Sequence, residues 1–235
     1  MMSCDAIRWC VVGIMLLQGC GSVNAGNTGA DGSVGDSSGA CTTGPCTLLS
    51  DDFTATSIDM ALWRVNMGGG ATVIQRNGML TLSLPAAAGA FADVVSIAAF
   101  PVGTTFEAKV KFSAGQLYDH KGAGFSSARV TENCGTNETD AAMFRGQDGV
   151  FVVETALAGT NACPLREQNY LGVMHTLRVA RVNDTVVFGE DGTTVTVTTA
   201  VPTTALPIRF SAYTFTAAPA QPVQIDVDSV TVTRP

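Results

Sequence analysis

The stretch "HTLRVARVNDTVVFGEDGTTVTVTT", residues 175–199, contains three strand-like runs separated by two short turns. Within each run apolar and polar side chains alternate and Val and Thr predominate, as in a strand with one buried face. Asn183-Asp184 and Asp191-Gly192 interrupt the alternation with residues that suit the tight turns of hairpins. The stretch therefore predicts three consecutive antiparallel strands.

Similar strands and turns follow one another from Thr47 to the C-terminus. Asn77-Gly78 marks another tight turn, and "AAMFRGQDGVFVVETAL" predicts a hairpin that turns near Gln147, Asp148 and Gly149. About a dozen short strands are expected, and no segment shows the apolar periodicity of a long amphipathic helix. Residues 47–235 are therefore predicted to form one all-β sandwich or barrel.

The charge of the chain excludes one large class of partner. The formal net charge is -7 and only 14% of residues are charged, with no cluster of Lys and Arg in the sequence. Binding to phosphate backbones requires such clusters. We therefore expect no nucleic-acid partner.

The first nineteen residues have the features of an export signal. Arg8 precedes the nine-residue apolar run "WCVVGIMLL", which is too short to cross a hydrocarbon core of about 20 residues. The run ends at "LLQGC", which resembles the lipobox of bacterial lipoproteins. The resemblance implies cleavage before Cys20 and acylation of that cysteine, and Gly21 in place of Asp favours the outer membrane. Two or more acyl chains would anchor the protein stably in the cell envelope.

Residues 20–46 are rich in Gly, Ser, Asn and Asp and have almost no apolar side chains. Such a segment cannot bury enough surface to offset the entropy of ordering it. It is interpreted as a flexible tether between the lipid and the domain.

Seven cysteines occur in the chain, and four remain after the signal and the lipidated Cys20 are set aside. An even number in an exported chain indicates disulfides. "CTTGPC" allows Cys41 to pair with Cys46, and Cys134 and Cys163 lie almost symmetrically about the turn near Asp148. We predict the pairs Cys41–Cys46 and Cys134–Cys163.

Four segments of the strand-rich region have a recognisable spacing: "LLSDDFTATSIDMALWRV", "VIQRNGMLTLSL", "GVMHTLRVARVNDTVVFGEDG" and "IDVDSVTVT". Together they resemble the concanavalin A-like lectin and glucanase superfamily, the laminin-G-type jelly roll. The resemblance covers about residues 47–235 and implies an antiparallel jelly-roll sandwich. It leaves the activity open, because many functions share this fold.

Family 16 glycoside hydrolases of this superfamily carry E-x-D-x-x-E on one strand, and that motif is absent here. Glu107 and Glu154 are the most strand-like carboxyls, and a solvated strand face is the expected place for both. His120 and His175 are expected to be fixed, non-catalytic histidines. The sequence therefore predicts no catalytic residue and no enzymatic activity.

A non-catalytic module that binds glycan or envelope polymer is the function that the sequence favours. Sugar sites combine exposed aromatic rings with polar side chains. Tyr118, Tyr170 and Tyr213 are the candidate platforms, whereas Trp63 is expected in the core. Two alternatives remain: an unusual polysaccharide hydrolase or lyase of the same fold, and a structural or adhesion lipoprotein that binds proteins.

Some members of the resembled superfamily bind a structural calcium ion beside the first and last strands. Asp228 in "IDVDSVTV" matches the position of the coordinating aspartate, with Asp226 as the alternative. Calcium takes oxygen ligands, many of them main-chain carbonyls that a sequence cannot reveal. No other cofactor is expected.

Overall fold

The computed structural model describes residues 45–129, 140–166 and 170–235, with only the backbone at 165 and 166. Sixteen strands run through these residues. They are β1 Cys46–Asp51, β2 Trp63–Gly68, β3 Thr72–Gln75, β4 Leu80–Leu84, β5 Phe91–Phe100, β6 Thr105–Phe112, β7 Asp119–Ser126, β8 Ala141–Gln147, β9 Val150–Leu157, β10 Thr160–Ala162, β11 Leu165–Arg166, β12 Met174–Val182, β13 Thr185–Glu190, β14 Thr193–Val197, β15 Leu206–Thr214 and β16 Val223–Arg234. No helix in the described part of the chain is long and apolar enough to span a membrane.

The strands form two eight-stranded antiparallel sheets. Sheet A has the order β14-β13-β12-β6-β16-β4-β3, with β1 also paired to β16. Sheet B has the order β10-β9-β8-β7-β15-β5-β2, with β11 also paired to β9. Neighbours such as β5 and β15 are far apart in sequence, so most of each sheet is built from non-local pairs.

One hydrophobic core lies between the two sheets. Alternate residues of each strand point into it, for example Ala142 and Phe144 of β8 and Val179 of β12. Trp63 is fully buried in this core, as expected, and its indole Nε1 donates to Asp51 Oδ2 at 2.7 Å. Burial of apolar area at about 25 cal/mol per Å² makes this core the main stabilising contribution.

Tight turns connect several of the consecutive strands where the sequence predicts them. Asn77 and Gly78 both have positive φ, 56° and 72°, between β3 and β4. Asn183 between β12 and β13 and Asp191 between β13 and β14 also have positive φ. These backbone conformations match the right-handed twist of paired strands, which explains the choice of Asn, Asp and Gly.

The structure confirms the predicted all-β antiparallel sandwich, with more strands than the expected dozen. β1 begins at Cys46, one residue before the predicted start of the domain. The signal segment, Cys20 and most of the tether lie outside the described residues, and so do Cys41 and Cys134.

Candidate functional site

The two sheets differ in the surfaces that they turn away from the core. On sheet A this surface is solvated, and Glu107 of β6 is exposed there beside the Lys109–Asp228 pair. On sheet B the corresponding surface carries charged and aromatic side chains, most of them buried. We call the second surface the outward face of sheet B. It is defined by Arg64, Phe91, Asp93, His120, Arg145, Glu154, Arg209, Ser211 and Tyr213.

Strand register places an aromatic row at one end of this face. Phe91 of β5 is opposite Tyr213 of β15, and Tyr213 is opposite His120 of β7. The His120 and Tyr213 ring centroids are 6.4 Å apart, and Phe215 lies 5.8 Å from His120 and 6.3 Å from Tyr213. Tyr213 and Phe215 are partly exposed, so the row offers aromatic surface to a ligand.

Asp93 is the centre of a charged group on the same face. Its Oδ1 accepts from Ser211 Oγ at 2.7 Å and lies 3.3 Å from Arg209 Nη1. Its Oδ2 accepts from Arg129 Nε at 2.7 Å. The guanidinium of Arg129 also stacks on the Phe91 ring, 3.6 Å from the centroid. Asp93 is 1% exposed, and these hydrogen bonds compensate the burial of its charge.

A second charged group lies three and four strands away from Asp93, on β8 and β9. Arg145 Nη1 donates to Glu154 Oε2, and Asn161 Nδ2 donates to Glu154 Oε1. The Cys163 Sγ atom is 3.9 Å from the same Oε1. Arg145 and Glu154 are both 0% exposed, so this ion pair is fully removed from water. Next to this pair on the same two strands, Met143 forms a small apolar cluster with Ala141 and Ala156.

The two glutamates singled out in the sequence do not meet. Glu107 lies on sheet A and faces solvent, as expected. For Glu154 the expectation of a solvated face is wrong, because the side chain is buried against Arg145. The sequence does not indicate this burial, because the residue pattern of β9 does not show whether its outward face is covered.

The three tyrosines occupy different surroundings. Tyr118 is 41% exposed and its backbone N–H donates to Asp148 Oδ1 at 2.7 Å. Tyr170 packs against the core, with its ring 5.6 Å from Phe151 and 4.9 Å from His175. Only Tyr213 belongs to the outward face of sheet B. Their role as sugar platforms stays a prediction, and the geometry supports it best at Tyr213.

His175 lies at the start of β12 and is held by the turn between β13 and β14. Its Nδ1 is 2.6 Å from Asp191 Oδ2, and the Thr176 N–H donates to Asp191 Oδ1 at 2.9 Å. Burial raises the pKa of Asp191, but the hydrogen bonds from His175 and Thr176 outweigh it and hold the pKa below its ordinary value of 3.8. This arrangement fixes the turn.

The aspartates proposed for calcium contact polar and basic side chains. Asp226 Oδ1 accepts from Thr81 Oγ1 at 2.9 Å and from Gln224 Nε2 at 2.6 Å. Asp228 Oδ2 lies 3.7 Å from Lys109 Nζ. Among the described residues, no group of three or more His, Cys, Asp or Glu could hold a metal ion. The calcium site stays a prediction.

Cys46 and Cys163 are each disulfide-bonded. The cysteines predicted as their partners, Cys41 and Cys134, lie outside the described residues. The pairs Cys41–Cys46 and Cys134–Cys163 therefore stay predictions.

Solved structures share this architecture at low sequence identity. A Bacillus licheniformis β-glucanase aligns with a TM-score of 0.60 and 14% identity, over 81% of this chain and 98% of that chain. The fold is the concanavalin A-like jelly roll. A structure from work on endo-acting O-glycanases that initiate mucin breakdown in the human gut microbiota aligns with a TM-score of 0.58 and 16% identity, over 80% and 98% of the two chains. A Mycobacterium tuberculosis protein described as an immunostimulatory antigen and pseudo β-1,3-glucanase aligns with a TM-score of 0.54 and 14% identity, over 79% and 98%.

The sequence itself matches no protein-family model and no curated protein. The structural neighbours correct the expectation of a non-catalytic, lectin-like module without enzymatic activity. Several of them are described as glucanases or glycanases and one as a pseudo-glucanase, and together they favour the alternative of a polysaccharide hydrolase with this jelly roll.

The sequence alone does not indicate most of the charged groups on the outward face of sheet B. Asp93, Arg129 and Arg209 are 36 and 80 positions apart along the chain, and only the pairing of β5 with β15 brings two of them together. The one available signal was an unusual residue type, a single charged side chain in each of two strands that are otherwise largely apolar.

Proposed function

We propose that the chain is a polysaccharide hydrolase and that its glycan lies along the outward face of sheet B. The observation that carries this proposal is the jelly roll shared over nearly the whole length of glucanases and glycanases. The outward face adds aromatic rings and buried, hydrogen-bonded charges, which are the usual components of sugar sites. The outward face of sheet A offers exposed salt bridges instead.

Glu154 is the carboxyl that we assign to the reaction. Among the described residues it is the only glutamate on the outward face of sheet B. Hydrolysis of a glycosidic bond needs an acid to protonate the leaving oxygen and a second carboxyl as nucleophile or base.

Asp93 does not serve as the second carboxyl for the same bond. It lies on β5, four strand spacings from β9, and spacings of about 4.8 Å place the two carboxyls about 19 Å apart. Retaining enzymes need about 5–5.5 Å and inverting enzymes about 6.5–9.5 Å. Three further glutamates, Glu132, Glu138 and Glu167, lie outside the described residues and are tested for this role.

The test is release of reducing ends from a panel of β-glucans, galactans and uronans by the full chain. We expect turnover on at least one polymer and its loss in Glu154→Gln. Glu107→Gln is the matched control, because it makes the same chemical change on the outward face of sheet A. Glutamine variants of Glu132, Glu138 and Glu167 identify the second carboxyl. Turnover that survives Glu154→Gln would contradict the assignment.

We also propose that the domain is presented from the bacterial cell envelope, anchored through lipid on Cys20. This proposal rests on the sequence alone: "LLQGC" after a short apolar run, followed by a Gly- and Ser-rich segment. A hydrolase in that place would act on polymers outside the cytoplasm.

A further inference from the structure

Two arginines pair with a single carboxylate at the β2–β5–β15 side of the outward face of sheet B, and a third arginine lies in the same row as one of them. Arg129 and Arg209 both pair with Asp93, at 2.7 and 3.3 Å. Arg64 of β2 is opposite Val95 of β5, and Val95 is opposite Arg209 of β15, so Arg64 and Arg209 lie in one row. We call Arg64, Arg129 and Arg209 the arginine cluster.

The arginine cluster carries more positive charge than its surroundings neutralise. Among the described residues, Asp93 is the only carboxylate within 4.0 Å of any of the three. Within the described part of the chain, three guanidinium groups against one carboxylate leave a local excess of two positive charges. Arginine stays protonated at all physiological pH values, so the excess is permanent.

The mutual repulsion within the arginine cluster is large enough to affect Arg209. Burial lowers the pKa of Arg209, its pairing with Asp93 raises it, and the nearby charges of Arg129 and Arg64 lower it again. An anion bound beside these groups would relieve the repulsion.

Hydrogen-bond donors remain available for such an anion. Arg129 uses Nε for Asp93 and lies flat on the Phe91 ring, and its side chain is 27% exposed. Its two terminal nitrogens make no hydrogen bond within the described residues. Arg64 is exposed and makes no ion pair there either. Guanidinium groups with unused donors suit an oxyanion, and Arg129 presents its donors from above the Phe91 ring.

We propose that the arginine cluster binds the anionic groups of an acidic polysaccharide, either uronic acid carboxylates or sulfate esters. This inference rests on the proposed function, because it names the substrate class of the same face. Arg64 and Arg129 supply hydrogen bonds to the anion, and the partly exposed Tyr213 supplies apolar surface to the sugar ring. Asp93 keeps Arg209 and Arg129 in place and binds no sugar anion itself.

Because the chain as a whole is negatively charged, binding of an acidic polymer requires a local concentration of positive charge such as the arginine cluster. The formal net charge is -7, so a polyanion is repelled at long range. Salt screens that repulsion within about 8 Å at physiological ionic strength, whereas direct contacts at the cluster persist. Binding should therefore be weak at very low salt, strongest at intermediate salt, and weakened again when high salt competes for the arginines.

The experiment measures binding of the full chain to polygalacturonate, to dextran sulfate and to neutral laminarin. Wild type is compared with Arg64→Gln and Arg129→Gln. The matched control is Arg76→Gln, which removes an exposed arginine in the turn between β3 and β4 of sheet A. Thermal unfolding of each variant checks that the fold is intact. Arg64→Gln gives the cleaner result, because Arg64 has no ion pair among the described residues that its replacement would break.

We expect binding to at least one acidic polymer to exceed binding to laminarin, and Arg64→Gln to weaken it about five- to tenfold, as for one charge-assisted contact. Arg76→Gln should bind as wild type does. The polymer that responds, polygalacturonate or dextran sulfate, distinguishes carboxylate from sulfate. Equal affinity for neutral and acidic polymers, or equal effects of Arg64→Gln and Arg76→Gln, would overturn the inference.

The same assay separates the two proposals. Hydrolysis of a neutral glucan that is unaffected by Arg64→Gln would uphold the proposed hydrolase and overturn the acidic substrate. Arginine-dependent binding of an acidic polymer without release of reducing ends would uphold the arginine cluster and overturn the hydrolase.

Discussion

Asp191 shows how one exposed carboxylate fixes a turn in this sandwich. It accepts hydrogen bonds from His175 Nδ1 and from the Thr176 N–H, which join the start of β12 to the turn between β13 and β14. The net effect of these bonds is to hold the pKa of Asp191 below 3.8, against the effect of burial. A carboxyl with a lowered folded-state pKa adds stability above its ordinary value, and that stability is lost as the pH falls through the folded-state pKa.

We therefore expect Asp191→Asn to lower the free energy of unfolding at pH 7. The difference from wild type should shrink as the pH falls from 3.8 through the lower folded-state pKa, below which the wild-type carboxyl is protonated in the folded state as well. Urea denaturation at several pH values measures it. Asp184→Asn is the control, because Asp184 is exposed in the neighbouring turn. A loss of stability that stays constant down to the lowest pH would show that charge plays no part.

At the scale of single residues, the sequence predicts the burial of some side chains, but it does not predict which groups contact the others. The burial of Trp63 follows from its place in the entry segment, and the exposure of Glu107 follows from the alternation of β6. The burial of Glu154 does not follow, because β9 is covered on both faces. Contacts of Asp93 with Arg209 and Ser211 span 116 and 118 positions and depend on sheet order.

At the scale of elements, β7 depends on a glycine. Gly124 has φ of 145°, and a Cβ there would lie 2.6 Å from the Ala142 carbonyl oxygen and 2.7 Å from the Met143 Cα. Both neighbours belong to the backbone of β8, which cannot move without breaking its pairing. The missing side chain is therefore what allows β7 and β8 to pair in this register.

We expect Gly124→Ala to lower the free energy of unfolding by about 2 kcal/mol or more, as for overpacking combined with backbone strain. Gly159→Ala is the matched control, since Gly159 also has positive φ but no atom within 4 Å of a Cβ. It should lose only about 1 kcal/mol, the cost of a left-handed conformation for a residue with a side chain. Chemical denaturation of the two variants measures both losses. Equal losses in the free energy of unfolding would contradict the steric explanation.

Hairpins are the elements that the sequence predicts best. The turns at Asn77-Gly78, near Asp148 and at Asn183-Asp184 all occur where turn residues interrupt alternating runs. The turn residues decide how the two strands of each hairpin pair, because the turn sets their register. The pairing of β15 with both β5 and β7 has no such local signal, since the burial of apolar side chains sets its register.

At the scale of the whole molecule, we expect Cys20→Ala to move the protein from the membrane fraction to the soluble fraction. The reason is loss of the thiol that would carry the lipid. Fractionation with an antibody to the domain measures this, and mass spectrometry of the native N-terminus provides the independent check. An unmodified N-terminus, or an intact Met1, would contradict the proposed anchor.

The jelly roll of the whole molecule was accessible from the sequence, whereas the proposed activity was not. Regular short strands and the segments around Asp51, Trp63 and Asp228 were sufficient for the fold. The absence of E-x-D-x-x-E led to the wrong expectation of an inactive module. A strand motif is one way of bringing carboxyls together, and side chains from different strands can also meet on one sheet face.

The most direct test of the account is mass spectrometry of oligosaccharides released from the polysaccharide panel by the full chain and by two variants. We expect products from wild type and from Glu107→Gln on sheet A, and none from Glu154→Gln on sheet B. No product from wild type on any polymer, or undiminished product from Glu154→Gln, would contradict it.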